Sequence, residues 1–294
     1  MDEIIKKIDD AVNRINNGVP TAQRQLYDEL LTLTQKLEVS NSRIKSTAKN
    51  VRLIGEIKKK LELLLRNPSY NKDVNEFIKS FTEVAQLQKD YFQQSVKNFT
   101  PPKVLQAIRE ESVQATIESL QGNGMKASIV EPVREILRTN ITSGAKYSDL
   151  VKGLRDFMIT NKTGEGELVK YVKQITTDAL NQYARSNITA VTSDLGLEWY
   201  SYDGAIIDTS RPFCVAMHKK KHFHKSEIPK LLKGDFPEFK AANGKIDEKT
   251  GLPYGMIKGT TPDNFLVNLG GWNCQHIPTP VSKLVVPKAV RDSV

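Results

Sequence analysis

For about 195 residues this chain repeats one pattern: an apolar side chain every third or fourth position, with charged residues between. Ile4, Ile8, Ala11, Val12 and Ile15 begin it. Ile44, Ala48, Val51, Ile54, Ile57, Leu61 and Leu64 form its most regular run, with Lys, Arg and Glu on the opposite face. That spacing places the apolar groups on one stripe of an α-helix. Such helices cannot bury their stripes alone, so they pack on neighbours in the same chain or self-associate with another copy. The fold class expected is mainly α: an elongated N-terminal helical hairpin or bundle, then a smaller α+β C-terminal domain with a short β-sheet.

Punctuation divides the pattern into helices over about 2–17, 21–37, 44–64 and 74–96. Gly18 and Pro20 end the first and Asn67-Pro68 the third. At Phe99-Thr100-Pro101-Pro102, Thr100 is the expected N-cap, with the prolines in the first turn of a helix that runs to Gly122 and Gly124. Shorter helices follow over about 127–140 and 148–159. The linker Thr163-Gly164-Glu165-Gly166 precedes a long helix from Glu167 to Leu195, capped by Gly196. Then the texture changes. Leu197–Tyr202 reads as an aromatic strand, with Ala205–Ile207 as its hairpin partner across Asp203-Gly204. A short helix near 225–232 and a loop over 234–264 complete the reading. Three segments result: 1–98, an elongated helical region; 99–195, helical; and 196–294, α+β and rich in loops.

Among 294 residues, 39% are hydrophobic and 26% charged, enough to bury a core. The beginning, MDEIIKKIDD, has no apolar signal region, and no stretch approaches the ~20 apolar residues of a membrane span. No membrane partner is expected. The net charge is +9, of which residues 200–294 carry +5. Lys219, Lys220 and Lys221 make the densest positive run. They are candidates for phosphate contacts on double-stranded DNA without base readout, or simply a solvated loop.

Both cysteines and all four histidines fall between residues 214 and 276. Thiolate and neutral imidazole are the ligands zinc prefers. In Cys214-x3-His218 the spacing brings both side chains to one face of a helical turn. In Cys274-x-His276 it brings both to one face of an extended strand. Together the two cysteines and two histidines make a candidate closed tetrahedral site for a structural Zn2+, with His222 and His224 as substitutes. Two alternatives stay open: buried thiols that fill a core, and a Cys214–Cys274 disulfide. Asp208 with His218, His222 and His224 raises a metal-dependent nuclease as a further reading, but no paired acidic motif or HExxH accompanies it. A phosphate-binding glycine loop is likewise missing from the sequence, so no enzyme is expected.

The later half also carries an ordered set of motifs. Thr177-Asp178-Ala179-Leu180-Asn181-Gln182-Tyr183-Ala184-Arg185 is followed by Tyr202, Thr209-Ser210-Arg211-Pro212-Phe213-Cys214, Lys221-His222-Phe223 and Gly270-Gly271-Trp272-Asn273-Cys274-Gln275-His276. This set resembles the minor head, or head morphogenesis, proteins of tailed bacteriophages, the group similar to the Mu F protein. The resemblance covers roughly residues 105–282. Its motif positions here are Arg211, Cys214, Gly271, Asn273, Cys274 and His276, and Gln275 departs from the arginine usual at that place. The resemblance implies a structural protein of the virion head region, present in the host cytoplasm during assembly. It would associate with portal or capsid protein and in some members with packaged DNA. A DNA-associated protein that is ejected, or a nuclease-like enzyme, is the alternative.

Overall fold

The computed structural model describes every residue except 67, 160–163 and 293. Asn67 and Thr163, placed above at helix boundaries, lie outside the described residues. The structure is mainly α, with short antiparallel strands in small sheets. In order it holds α1 (Asp2–Thr34), β1 (Val39–Ser40), β2 (Arg43–Ile44), α2 (Ala48–Leu64), α3 (Pro68–Ser95), α4 (Val104–Gln121) and α5 (Asn123–Met125). A π-helical turn over Lys126–Val130 leads into α6 (Glu131–Thr142), then α7 (Tyr147–Met158) and α8 (Glu167–Asp194). The rest is β3 (Trp199–Asp203), α9 (Pro212–Lys220), β4 (His222–His224), α10 (Ile228–Leu232), α11 (Pro237–Ala241), α12 (Phe265–Asn268), β5 (Ile277–Pro280) and α13 (Lys288–Arg291). No described helix is long and apolar enough to cross a membrane.

The chain divides into two compact units that interleave along the sequence. One comprises Ala11–Ile78 and Gln114–Thr176; the other comprises Met1–Asp10, Lys79–Val113 and Thr177–Val294. The units therefore cut across the segments 1–98, 99–195 and 196–294.

The first unit is helical apart from the β1–β2 hairpin. Asn41 and Ser42 both take positive φ, 48° and 60°, which matches a two-residue loop to the right-handed twist of its strands. The side chain of buried Asn50 fixes this loop: its Oδ1 accepts from the Glu38 N–H at 2.9 Å, and its Nδ2 donates to the carbonyls of Glu38 and Lys45 at 3.0 and 2.7 Å. Thr47 caps α2 by accepting from the Asn50 N–H. The buried stripe of α2 is Asn50, Leu53, Ile54, Ile57 and Leu61, while Val51 faces solvent and Ile44 belongs to β2. Lys58 and Glu131 join α2 to α6 by an ion pair of 2.6 Å.

Two expected helix boundaries are overturned. Gly18 and Pro20 do not end a helix, because α1 runs through both to Thr34. A proline in a helix interior costs about 3 kcal/mol. The buried positions Ile15, Val19, Gln23, Leu26 and Leu30 keep one phase across it. Burying each large apolar group returns about 1.5–3 kcal/mol, so packing outweighs the break. Thr100 is not an N-cap either. The helix α4 starts at Val104, and Pro101 and Pro102 precede it rather than forming its first turn.

In the second unit, β3 is the centre of a three-stranded antiparallel sheet in the order β4-β3-β5. Tyr200 pairs with Phe223 on one side and Pro280 on the other; Tyr202 pairs with Pro278. The prolines of β5 are tolerated because an edge strand need not donate along its whole length. Ala205–Ile207 is not a strand, so the expected hairpin across Asp203-Gly204 is wrong. Gly204 sits instead at φ 138°, where a Cβ would come within 2.9 Å of the His276 ring. The glycine serves close passage of the backbone, not a hairpin turn. The span 234–264 contains α11 within its turns. This region packs Tyr200, Tyr202, Phe213, Met217, Phe223, Phe236, Phe239 and Phe265 together, with Phe213 edge-on to the last three of these rings at 6.1–6.3 Å.

Candidate metal centre

Three of the four expected ligands converge. Cys214 lies on the buried face of α9, beside Phe213, Ala216 and Met217. Cys274 and His276 lie on the irregular stretch that leads into β5. One donor atom from each of Cys214, Cys274 and His276 lies within 4.8 Å of the other two, and this is the one such group of three or more found among the described residues. Their exposures are 3%, 3% and 4%. A buried cluster of two thiols and one imidazole is a donor set able to hold a metal ion. His218, the fourth ligand expected, stands outside it. It lies in the last turn of α9 and faces solvent. His222 and His224 are elsewhere too: they belong to β4, and the His224 ring lies against Trp199 at 4.9 Å, tilted by 52°, and bonds Ser226.

The cluster has a definite internal geometry. The His276 Nδ1 is 3.7 Å from the Cys274 Sγ. The Tyr202 hydroxyl reaches the same sulfur at 3.7 Å, with its ring stacked on the His276 ring at 4.6 Å. Gly270 forms the floor. A Cβ there would lie 2.7 Å from the Cys214 Sγ, 2.8 Å from the Cys274 Sγ and 3.0 Å from the Tyr202 hydroxyl. Only glycine leaves that space between the sulfurs open. The His276 Nε2 is buried with no hydrogen-bond partner among the described residues, so the ring is engaged only through its Nδ1 side.

Burial pushes the Cys274 thiol up, but the Cys214 hydrogen bond, the Arg185 guanidinium and His276 together hold it well below the ordinary thiol range. The Cys214 thiol is pushed up by its hydrogen bond to Cys274 and by burial. A thiolate already favoured at Cys274 suits metal capture.

The loop that carries Cys274 is tied from three sides. Arg185, fully buried on α8, donates from its Nε to the His276 carbonyl at 2.9 Å, from Nη1 to the Val267 carbonyl at 3.2 Å and from Nη2 to the Cys274 carbonyl. Asp178, two turns earlier on α8, accepts from the Asn273 N–H at 2.5 Å. Burial pushes its carboxyl up to about 6 against the pull of that hydrogen bond and of Arg185 and Arg211. Arg211 donates to the Gly255 carbonyl at 2.7 Å and the Trp272 carbonyl at 2.5 Å. Gly271, at φ 91°, lies so close to the Gly255 carbonyl that a Cβ would overlap it. Asn273 contributes its backbone, at φ 56°.

Two of the three lysines of the basic run are held within the chain. Lys220 pairs with Glu227 at 2.9 Å, and Lys221 with Asp203 at 2.6 Å. Lys219 is exposed on α9.

Comparison with known proteins places no relative beside this chain: no family model, no curated protein and no solved structure matches it.

Proposed function

We propose that this chain is a structural minor head protein of a tailed phage. It associates with portal or capsid subunits while the head assembles in the host cytoplasm, and stays in the head region of the virion. The observation that carries this reading is the convergence of the resembling motifs on one place. Asp178, Arg185, Tyr202, Arg211, Cys214, Gly270, Gly271, Asn273, Cys274 and His276 are far apart in sequence, yet all of them meet in the knot around Cys274. Motifs shared for the sake of holding a backbone loop suit a scaffold. A reaction centre needs a group that substrate can reach, and the thiols and imidazole here are buried.

Within this reading Cys214, Cys274 and His276 hold a structural Zn2+ that clips the loop after α12 to α9. The ion would supply cross-linking, not chemistry on a substrate. The exposed Lys219 supports at most a phosphate contact with packaged double-stranded DNA, since Lys220 and Lys221 are neutralised by carboxylates. The second reading, a metal-dependent nuclease, has less support: Asp208 and His218 are both exposed and belong to no metal-binding group among the described residues.

Cross-linking mass spectrometry on purified particles tests the proposal. Cross-links to portal or capsid subunits are expected. Absence of the chain from particles, or metal-dependent DNA cleavage that disappears in Cys274→Ser, would overturn it.

A further inference from the structure

Three ligands leave a tetrahedral ion one position short, and the residue that sequence spacing offered for it, His218, faces solvent. We propose that the phenolic oxygen of Tyr202 is the fourth donor, completing a site of two thiolates, one imidazole and one phenolate for a divalent cation. This rests on the reading of Cys214, Cys274 and His276 as a metal clip, and it adds the ligand that closes the clip.

The geometry carries the assignment. Tyr202 is 0% exposed, so its hydroxyl has no access to water. A buried hydroxyl normally finds an oxygen or nitrogen partner. Among the described residues this one meets only sulfur, the Cys274 Sγ at 3.7 Å and the Cys214 thiol, both weak partners. The His276 Nδ1 approaches the Cys274 sulfur at the same distance. The two rings stack at 4.6 Å and 28°, so the side chains that bring oxygen and nitrogen to the Cys274 sulfur are packed on each other. A side chain at Gly270 would crowd both sulfurs and the phenolic oxygen, which lie 2.7–3.0 Å from where its Cβ would stand, so the three atoms share one small space that the glycine leaves free.

Charge points the same way. Two thiolates and one phenolate around a divalent cation leave one net negative charge in a buried place. Arg185, 1% exposed and bonded to the Cys274 carbonyl, supplies the matching positive charge. Arg211 remains to face Asp178. On binding, the protons of the Cys214 thiol and the phenol pass to solvent, since each donor must be deprotonated to ligate.

The test is a titration of the metal-free full chain with Co2+ alone, followed by absorption spectroscopy. Wild type should develop thiolate-to-cobalt charge-transfer bands together with a tyrosinate difference band. Tyr202→Phe should keep the thiolate bands, lose the tyrosinate band and bind Co2+ about 10- to 100-fold more weakly. Thiolate bands without any tyrosinate signal in wild type, or undiminished affinity in Tyr202→Phe, would overturn the Tyr202 assignment and leave the three-residue clip standing. Absence of thiolate bands from wild type would overturn both. The wild-type tyrosinate signal needs no variant, so a misfolded Tyr202→Phe does not remove the test.

Discussion

At the scale of single residues the knot depends on groups whose shape matters as much as their charge. Arg185 serves three carbonyls with one planar fork. Lysine has a single ammonium on a flexible stem and cannot reproduce that geometry. Arg185→Lys should therefore destabilise the chain by about 2–5 kcal/mol, because buried carbonyls lose their donors, with denaturant unfolding as the readout; a change within about 0.5 kcal/mol would contradict the role assigned. Gly270→Ala should cost about 1–3 kcal/mol from overpacking and also abolish metal uptake, since its methyl would fill the space between the sulfurs. Asp178 gives a pH signature. Its carboxyl is raised from 3.8 to about 6, so the folded state binds the proton more tightly than the unfolded chain. The contribution of Asp178 is thus fully present below about 4 and is lost as pH rises toward 6, by at most about 3 kcal/mol. Asp178→Asn should flatten that slope in melting curves collected across this range; parallel curves for both proteins would contradict it. The cysteines and His276 were legible from residue type and clustering. Arg185 and Asp178 were legible only as members of a motif. Their signal was polar groups seven residues apart on one face of a long helix, which periodicity treats as noise until burial is known.

Among the elements, helix content follows from the apolar period, while the boundaries follow from packing that local propensity does not contain. The uninterrupted α1 shows this at Pro20, an exposed residue inside a helix held by the stripe on its other side. Pro20→Ala should raise stability by about 1–3 kcal/mol, by restoring a helical N–H and removing the ring clash. A lowered melting temperature would contradict that cost. The Asp203-Gly204 pair misled the strand reading because its glycine answers to the His276 ring, which lies 72 residues further along. The basic end of α9 is less available than its composition suggests. If the chain touches DNA there, Lys219→Ala should lower the salt-dependence slope by about one unit, with Lys220→Ala and Lys221→Ala each having less effect. Unchanged retention at low salt in all three would remove the contact.

For the whole molecule, the proposed metal clip would be one support among several. The aromatic core around Phe213 and the bonds from Arg185, Asp178 and Arg211 hold the same region without an ion. Loss of the clip should lower stability without unfolding the chain outright, unlike a small zinc finger that lacks any other core. The central claim is that Cys214, Cys274 and His276 hold one zinc ion. Elemental analysis of the purified chain after exposure to Zn2+ and removal of the excess, with thermal unfolding alongside, tests it most directly. One equivalent of zinc is expected in wild type, none in Cys274→Ser, and a lower melting temperature for that variant. Wild type free of zinc with both thiols reduced, and a Cys274→Ser melting curve that overlays it, would contradict the claim.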